Sequence, residues 1–149
     1  MTSVNRHSPL SDLPSNIRWY KHRDAVAVEG IRRRIYWGGD ASGGSASRDY
    51  VNKLKISEAA KALARLRYLA DTGSILNHDI CAVHDGGMLM LKFGKHCLGG
   101  YIDGDGDVVL LAGYPHRKRG LRPCREHLVH LRDVCAAHRH LHRGATHAH

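Results

Sequence analysis

Between Ile80 and Ala112 the chain repeats one pattern: a short apolar run, a glycine-rich break, and another apolar run. Ile80 to Val83 is followed by Asp85-Gly86-Gly87, Met88 to Phe93 leads into His96 to Ile102, and Asp103-Gly104-Asp105-Gly106 precedes Val108 to Ala112. Runs of this length, separated by residues that tolerate turn conformations, predict three to four antiparallel strands joined by tight hairpins. Gly99-Gly100 interrupts the third run, which predicts a bulge or a close approach of something to the backbone.

The segments around this meander carry a different period. Tyr50, Val51 and Leu54 share a helical face, and Ser45 or Ser47 can cap its first turn. Ser57 reads as the cap of a longer helix in which Ala59, Leu63, Leu66 and Ala70 recur at three to four residues, with Gly73 placed to stop it. Its Lys61, Arg65 and Arg67 read as a solvated face. Leu128, Leu131, Val134 and Cys135 predict a terminal helix that docks on the sheet or on the earlier helices. Ile31 to Trp37 reads as a strand, and Gly38 to Ser45 as a loop. The expected fold class is therefore α+β, with a three- to five-stranded, mainly antiparallel sheet, two N-terminal helices and a C-terminal helix. Residues 1–30 are expected to form a partly disordered extension, 31–137 the folded domain, and 138–149 a frayed, His-rich tail.

At 149 residues and 42% hydrophobic composition, one small domain is expected. No apolar run approaches the ~18 residues of a membrane-spanning helix, and the N-terminus lacks the apolar stretch of a secretion signal, so a cytoplasmic protein without a membrane partner is expected. Cys81, Cys97, Cys124 and Cys135 form no C-x-x-C pair, which suits reduced thiols. Charge is uneven. Residues 1–37 hold 7 basic and 3 acidic side chains, residues 38–113 hold 8 and 9, and residues 114–149 hold 8 and 2. Basic ends on a balanced middle make nucleic acid the leading partner class, because neutralising phosphates releases condensed counterions.

Several stretches, in this order, resemble the RelE/HigB toxin superfamily, and its phage-derived HigB-like branch in particular. Arg34-Ile35-Tyr36-Trp37, Asp40-Ala41-Ser42-Gly43 and Arg48 to Leu54 are similar to the family's opening strand, loop and first helix. Ala62 to Gly73 is similar to its second helix, and Asp85 to Lys92 to a strand that usually ends Glu-Leu-Arg, with Met90 and Lys92 standing at the Glu and Arg positions here. In the next strand, where the family usually has an arginine, Lys95 and His96 are nearest. Val108 to Tyr114, followed by His116-Arg117-Lys118-Arg119 and Pro123, resembles its apolar strand and basic loop.

The resemblance implies a RelE-like fold and the toxin of a type II toxin–antitoxin pair. Such a toxin is an endoribonuclease that cuts mRNA on the ribosome without a metal, through attack of a ribose 2′-hydroxyl on the adjacent phosphate. That chemistry needs a base, an acid for the leaving oxygen, and cations for the phosphorane. Lys92, His96, Tyr114, His116 and Arg117 are the expected catalytic residues, and Lys95, Lys118, Arg119 and Arg122 the expected RNA-binding ones. The implied partners are mRNA, the ribosome and a cognate antitoxin, of helix-turn-helix type; no cofactor is expected. Two other readings remain: a ParE-like poison that binds DNA gyrase, and a phage-derived protein that binds RNA or a host protein without cutting.

No metal site is expected. Asp103-Gly104-Asp105-Gly106-Asp107 imitates half a calcium loop, but Val108 stands at position six and Tyr114 at position twelve, so it reads as a hairpin turn. The pairs Cys124/His127 and Cys135/His138 lie eleven residues apart, about 16 Å along a straight helix, too far to share one ion.

Overall fold

The computed structural model describes residues 21, 23–39, 44–77, 80–116 and 125–147. Six strands form one sheet: β1 (Val26–Glu29), β2 (Arg34–Trp37), β3 (Cys81–His84), β4 (Met88–Phe93), β5 (His96–Ile102) and β6 (Val108–Pro115). The helices are α1 (Ala46–Asn52), α2 (Ile56–Thr72) and α3 (Arg125–His147). The class is α+β, but six strands replace the expected three to five. The spatial order is β1-β2-β6-β5-β4-β3, with every pairing antiparallel except β2 with β6.

The additional strand at the N-terminal side comes from residues assigned above to the extension. Val26–Glu29 folds back on Arg34–Trp37 as a hairpin, and Ala25 and Val28 are buried in the core, so the folded domain begins before residue 31. The run is only four residues long and sits in mixed sequence, which hid it from periodicity.

The strands are buried on both sides. Leu89, Leu91, Phe93, Leu98, Val108 and Leu110 pack with Ile35, Trp37 and the α2 residues Ala62, Leu66, Leu69 and Ala70. On the alternate residues Met90, Cys97, Tyr101, Val109, Leu111 and Tyr114 pack with Leu131 and Cys135 of α3. Successive side chains of a strand point to opposite faces, so α1 and α2 cover one face and α3 covers the other. Each fully buried leucine contributes about 1.5–3 kcal/mol, so neither layer is optional. The terminal helix thus docks on the sheet and not on the earlier helices.

Local signals set the helix ends. Ser45 caps α1, its side chain accepting from Arg48 N. Gly73 ends α2 in the left-handed region (φ 86°), its N–H donating to Leu69 O. At the start of α2, however, Lys55 occupies the cap position without a side-chain bond, so Ser57 is not the cap. The expected frayed tail is also corrected. The helical hydrogen bonding of α3 runs on to His147, and His138, the next position of the stripe after Leu128, Leu131 and Cys135, is buried with Nδ1 2.7 Å from the Tyr101 hydroxyl.

Gly99 and Gly100 serve both purposes read from the sequence. The β5–β6 register shifts between them, and a Cβ at Gly99 would stand 2.8 Å from a methyl group of Leu131. The glycine lets α3 approach the sheet closely.

Candidate active site

The site residues that are described gather at one end of the sheet, where β4, the turn to β5, the end of β6 and the start of α3 meet. Strand register divides them between faces. Lys92 is opposite Cys97, and Cys97 is opposite Tyr114, which makes a row across β4, β5 and β6 on the α3 side. Phe93, His96 and Pro115 form the neighbouring row. That row faces α1 and α2.

His96 therefore does not converge with Lys92 and Tyr114, and its expected place in one catalytic pocket is corrected. Its Nε2 is 2.9 Å from Glu58 Oε2 on α2, its Nδ1 is 2.7 Å from the Tyr50 hydroxyl on α1, and its ring stacks on Phe93. With Nε2–H donating to the carboxylate, Nδ1 accepts from the phenol. Both ring nitrogens are engaged, so His96 pins α1 and α2 to β5. The bond from His96 is the leading reason that the Glu58 carboxyl sits below its ordinary value. Burial is the leading reason that the Tyr50 phenol sits above its own. Gly113 makes room for this arrangement, because a Cβ there would run into the Tyr50 ring.

On the α3 side, Tyr114 is buried, and two imidazoles that sequence reasoning did not select surround it. His127 stacks on its ring with centroids 4.5 Å apart and planes at 21°, and its hydroxyl is 2.6 Å from His130 Nδ1. Burial, then nearby Cys135, holds the phenol proton on well above the ordinary tyrosine range. The phenol is accordingly the donor, and neutral His130 carries its own proton on Nε2. A signal for this pair was present. His127 and His130 stand three apart at the start of a predicted helix, directly after the basic loop, and residues at that spacing share a face.

Between Lys92 and Tyr114 lies the Cys97 thiol. Burial pushes it up to about 11, with Lys92 opposing, so it stays protonated and unreactive. At the rim, His116 is buried and its N–H donates to Lys95 O at 2.6 Å, which fixes the end of β6 to the β4–β5 turn. Arg117, Lys118, Arg119 and Arg122 lie outside the described residues.

The one group of at least three metal-binding side-chain types found among the described residues is Asp103, Asp105 and Asp107. The Lys21 ammonium sits among them at 2.7, 2.8 and 2.9 Å. Asp103 Oδ1 also accepts from the N–H groups of Asp105 and Asp107, which closes the hairpin turn read from the sequence. No described helix is long and apolar enough to cross a membrane.

Comparison of the chain with protein-family models and with curated proteins finds no match.

Proposed function

We propose that this chain is a RelE/HigB-like toxin that cleaves mRNA without a metal, at the sheet end where Lys92, Tyr114, His127 and His130 meet. The observation that carries the reading is the Tyr114–His130 bond of 2.6 Å with His127 stacked on the same phenol, in the row that begins at Lys92. It supplies two titratable imidazoles and a cation on one face, the groups that transesterification of a phosphodiester demands.

In this mechanism His127 takes the proton of the ribose 2′-hydroxyl, whose oxygen attacks the adjacent phosphorus. The bond from phosphorus to the 5′-oxygen breaks, and His130 supplies the proton that the leaving oxygen needs. The products are a cyclic 2′,3′-phosphate and a free 5′-hydroxyl. Lys92 balances the phosphorane charge. Lys95, Arg117, Lys118, Arg119 and Arg122 hold flanking phosphates, where arginine's forked donors suit two oxygens at once. The partners of this reading are mRNA, the ribosome and a neutralising antitoxin.

Mapping RNA ends after brief induction tests it. New 5′-hydroxyl ends in ribosome-bound messages are expected, and Lys92→Ala or His130→Gln should lower their yield by about 10²-fold while leaving the melting temperature within a few degrees of the parent. New ends that persist undiminished in both variants refute the assignment. Binding without cleavage is the second reading, favoured by one observation: His96, the histidine nearest the family's strand arginine, is turned to the other face and held at both nitrogens. It predicts arrest without new RNA ends, or early DNA damage with translation intact if gyrase is the target.

A further inference from the structure

At the opposite end of the sheet from this site, the last turn of α2 stops short of the edge and leaves a corner uncovered. There a cavity of about 300 Å³ opens between residues 73–76 and β3, lined by Leu69, Ile75, Leu76, Val83, Leu89 and Ile102. That is the lower end of the size range of natural ligand pockets. Its mouth is apolar as well: Leu76 is 87% exposed and Val83 58%. Isolated exposed aliphatic residues are ordinary, but here two of them border a preformed apolar cavity.

Two further features choose what fits. First, β3 is the last strand of the sheet, bonded to β4 on one side. Lys92 N donates to Ile80 O on the β4 side, so by the alternation of the ladder Val83 turns its N–H and C=O to the outer edge. An extended chain laid beside Val83 can bond to that edge while a side chain enters the cavity, the usual economy of strand addition.

Second, Arg33 forms one wall of the cavity and also lines a neighbouring polar cavity of about 270 Å³ with Arg32, Arg34, Glu29 and Asp107. Both carboxylates there are already paired, Glu29 with Arg34 and Asp107 with Lys21. Arg32 and Arg33 are left as the surplus charge. A second copy of a chain with net charge +9 is a poor match for that surplus.

We propose that this corner is a docking site for an extended, acidic segment of a partner protein, one that places an aliphatic side chain in the apolar cavity and carboxylates toward Arg32 and Arg33. The proposal stands whether or not the chain cuts RNA.

The test uses the full chain and three ten-residue peptides carrying fluorescein: alternating Leu-Glu, alternating Ser-Glu and alternating Leu-Ser. The Leu-Glu peptide should bind saturably in fluorescence anisotropy at 0.15 M salt, at least tenfold tighter than either control. Leu76→Asp and Val83→Pro should each weaken it at least tenfold, Arg32→Glu about fivefold, and amide exchange at Val83 should slow in the complex. All three substitutions are at exposed or half-exposed positions, and Leu76→Ser stands in for any variant whose melting temperature falls. Equal binding of Leu-Glu and Ser-Glu peptides would mean nonspecific attraction to a basic protein and would overturn the proposal. So would indifference to Leu76→Asp and Leu76→Ser, or full displacement by equimolar decanoate, which would identify a lipid site instead.

Discussion

Among single residues, the recurrent device is a tyrosine hydroxyl bonded to a histidine Nδ1: Tyr50 with His96, Tyr101 with His138 and Tyr114 with His130, at 2.7, 2.7 and 2.6 Å. Each bond joins a helix to the sheet. His96 has the most partners, and His96→Ala leaves Tyr50 and Glu58 without theirs, at a cost of about 2 kcal/mol in urea denaturation at pH 7. The Glu58 half of that link is also testable by acid. Its carboxyl is held below its ordinary 4.5 mainly by His96. A depressed carboxyl stabilises the fold above its unfolded pKa, and that stabilisation is lost as pH falls through the lower, folded value. The stability gap between the parent and Glu58→Gln should therefore be full at pH 6 and close on acidification below about pH 4.5. A gap of constant size would mean that the bond does not depend on the carboxylate's charge. Composition shows that the chain is rich in histidine, but not which ones are structural. The partners lie 46, 37 and 16 residues apart, beyond any local period.

Elements were more legible than the contacts between them. Strand limits in the meander emerge nearly residue for residue because each run ends at Gly or Asp, whose turn geometry is local. The end of α2 at Gly73 was readable for the same reason. What periodicity does not reveal is that β2 joins the sheet in parallel beside β6, since that depends on chain segments more than 70 residues apart. One clue to the second helical layer was present. Val108-Val109-Leu110-Leu111 is apolar at every position instead of every second one, and a strand of that kind needs cover on both faces. Leu131 supplies much of that cover, fully buried against Gly99. Leu131→Ala should cost about 2–5 kcal/mol in urea denaturation, against less than about 0.5 kcal/mol for Val129→Ala on the outer side of the same helix. Similar losses for both would show that α3 is not held through this contact. On the other face, Gly113→Ala should cost about 1–3 kcal/mol by displacing Tyr50, and Tyr50→Ala in the same chain should recover part of the loss.

For the molecule as a whole, the question is how its N-terminal side is held to the rest. Lys21 lies before β1, yet its ammonium is lodged in the β5–β6 hairpin among three aspartates whose oxygens lie within 4.8 Å of one another. Burial works against the charge, but the bonds to Asp103, Asp105 and Asp107 outweigh it and hold the ammonium above its ordinary range. The hairpin reading of this segment was available from its turn residues. The cation that neutralises it was not, because Lys21 is 82 or more residues away in sequence and belongs to a segment without a period. Lys21→Met removes the cation and leaves three carboxylates facing one another, so the chain should lose about 1.5–3 kcal/mol at pH 7. At roughly 2–4 °C per kcal/mol this is a fall of several degrees in melting temperature. The bond from Lys21 holds the Asp105 carboxyl below its ordinary 3.8, and stabilisation from a depressed carboxyl is present above that value and lost as pH falls through the folded one. The two melting curves should accordingly draw together on acidification below about pH 4. A Lys21→Met protein that melts with the parent at pH 7 would show that the hairpin holds its three charges apart without help from the N-terminal segment.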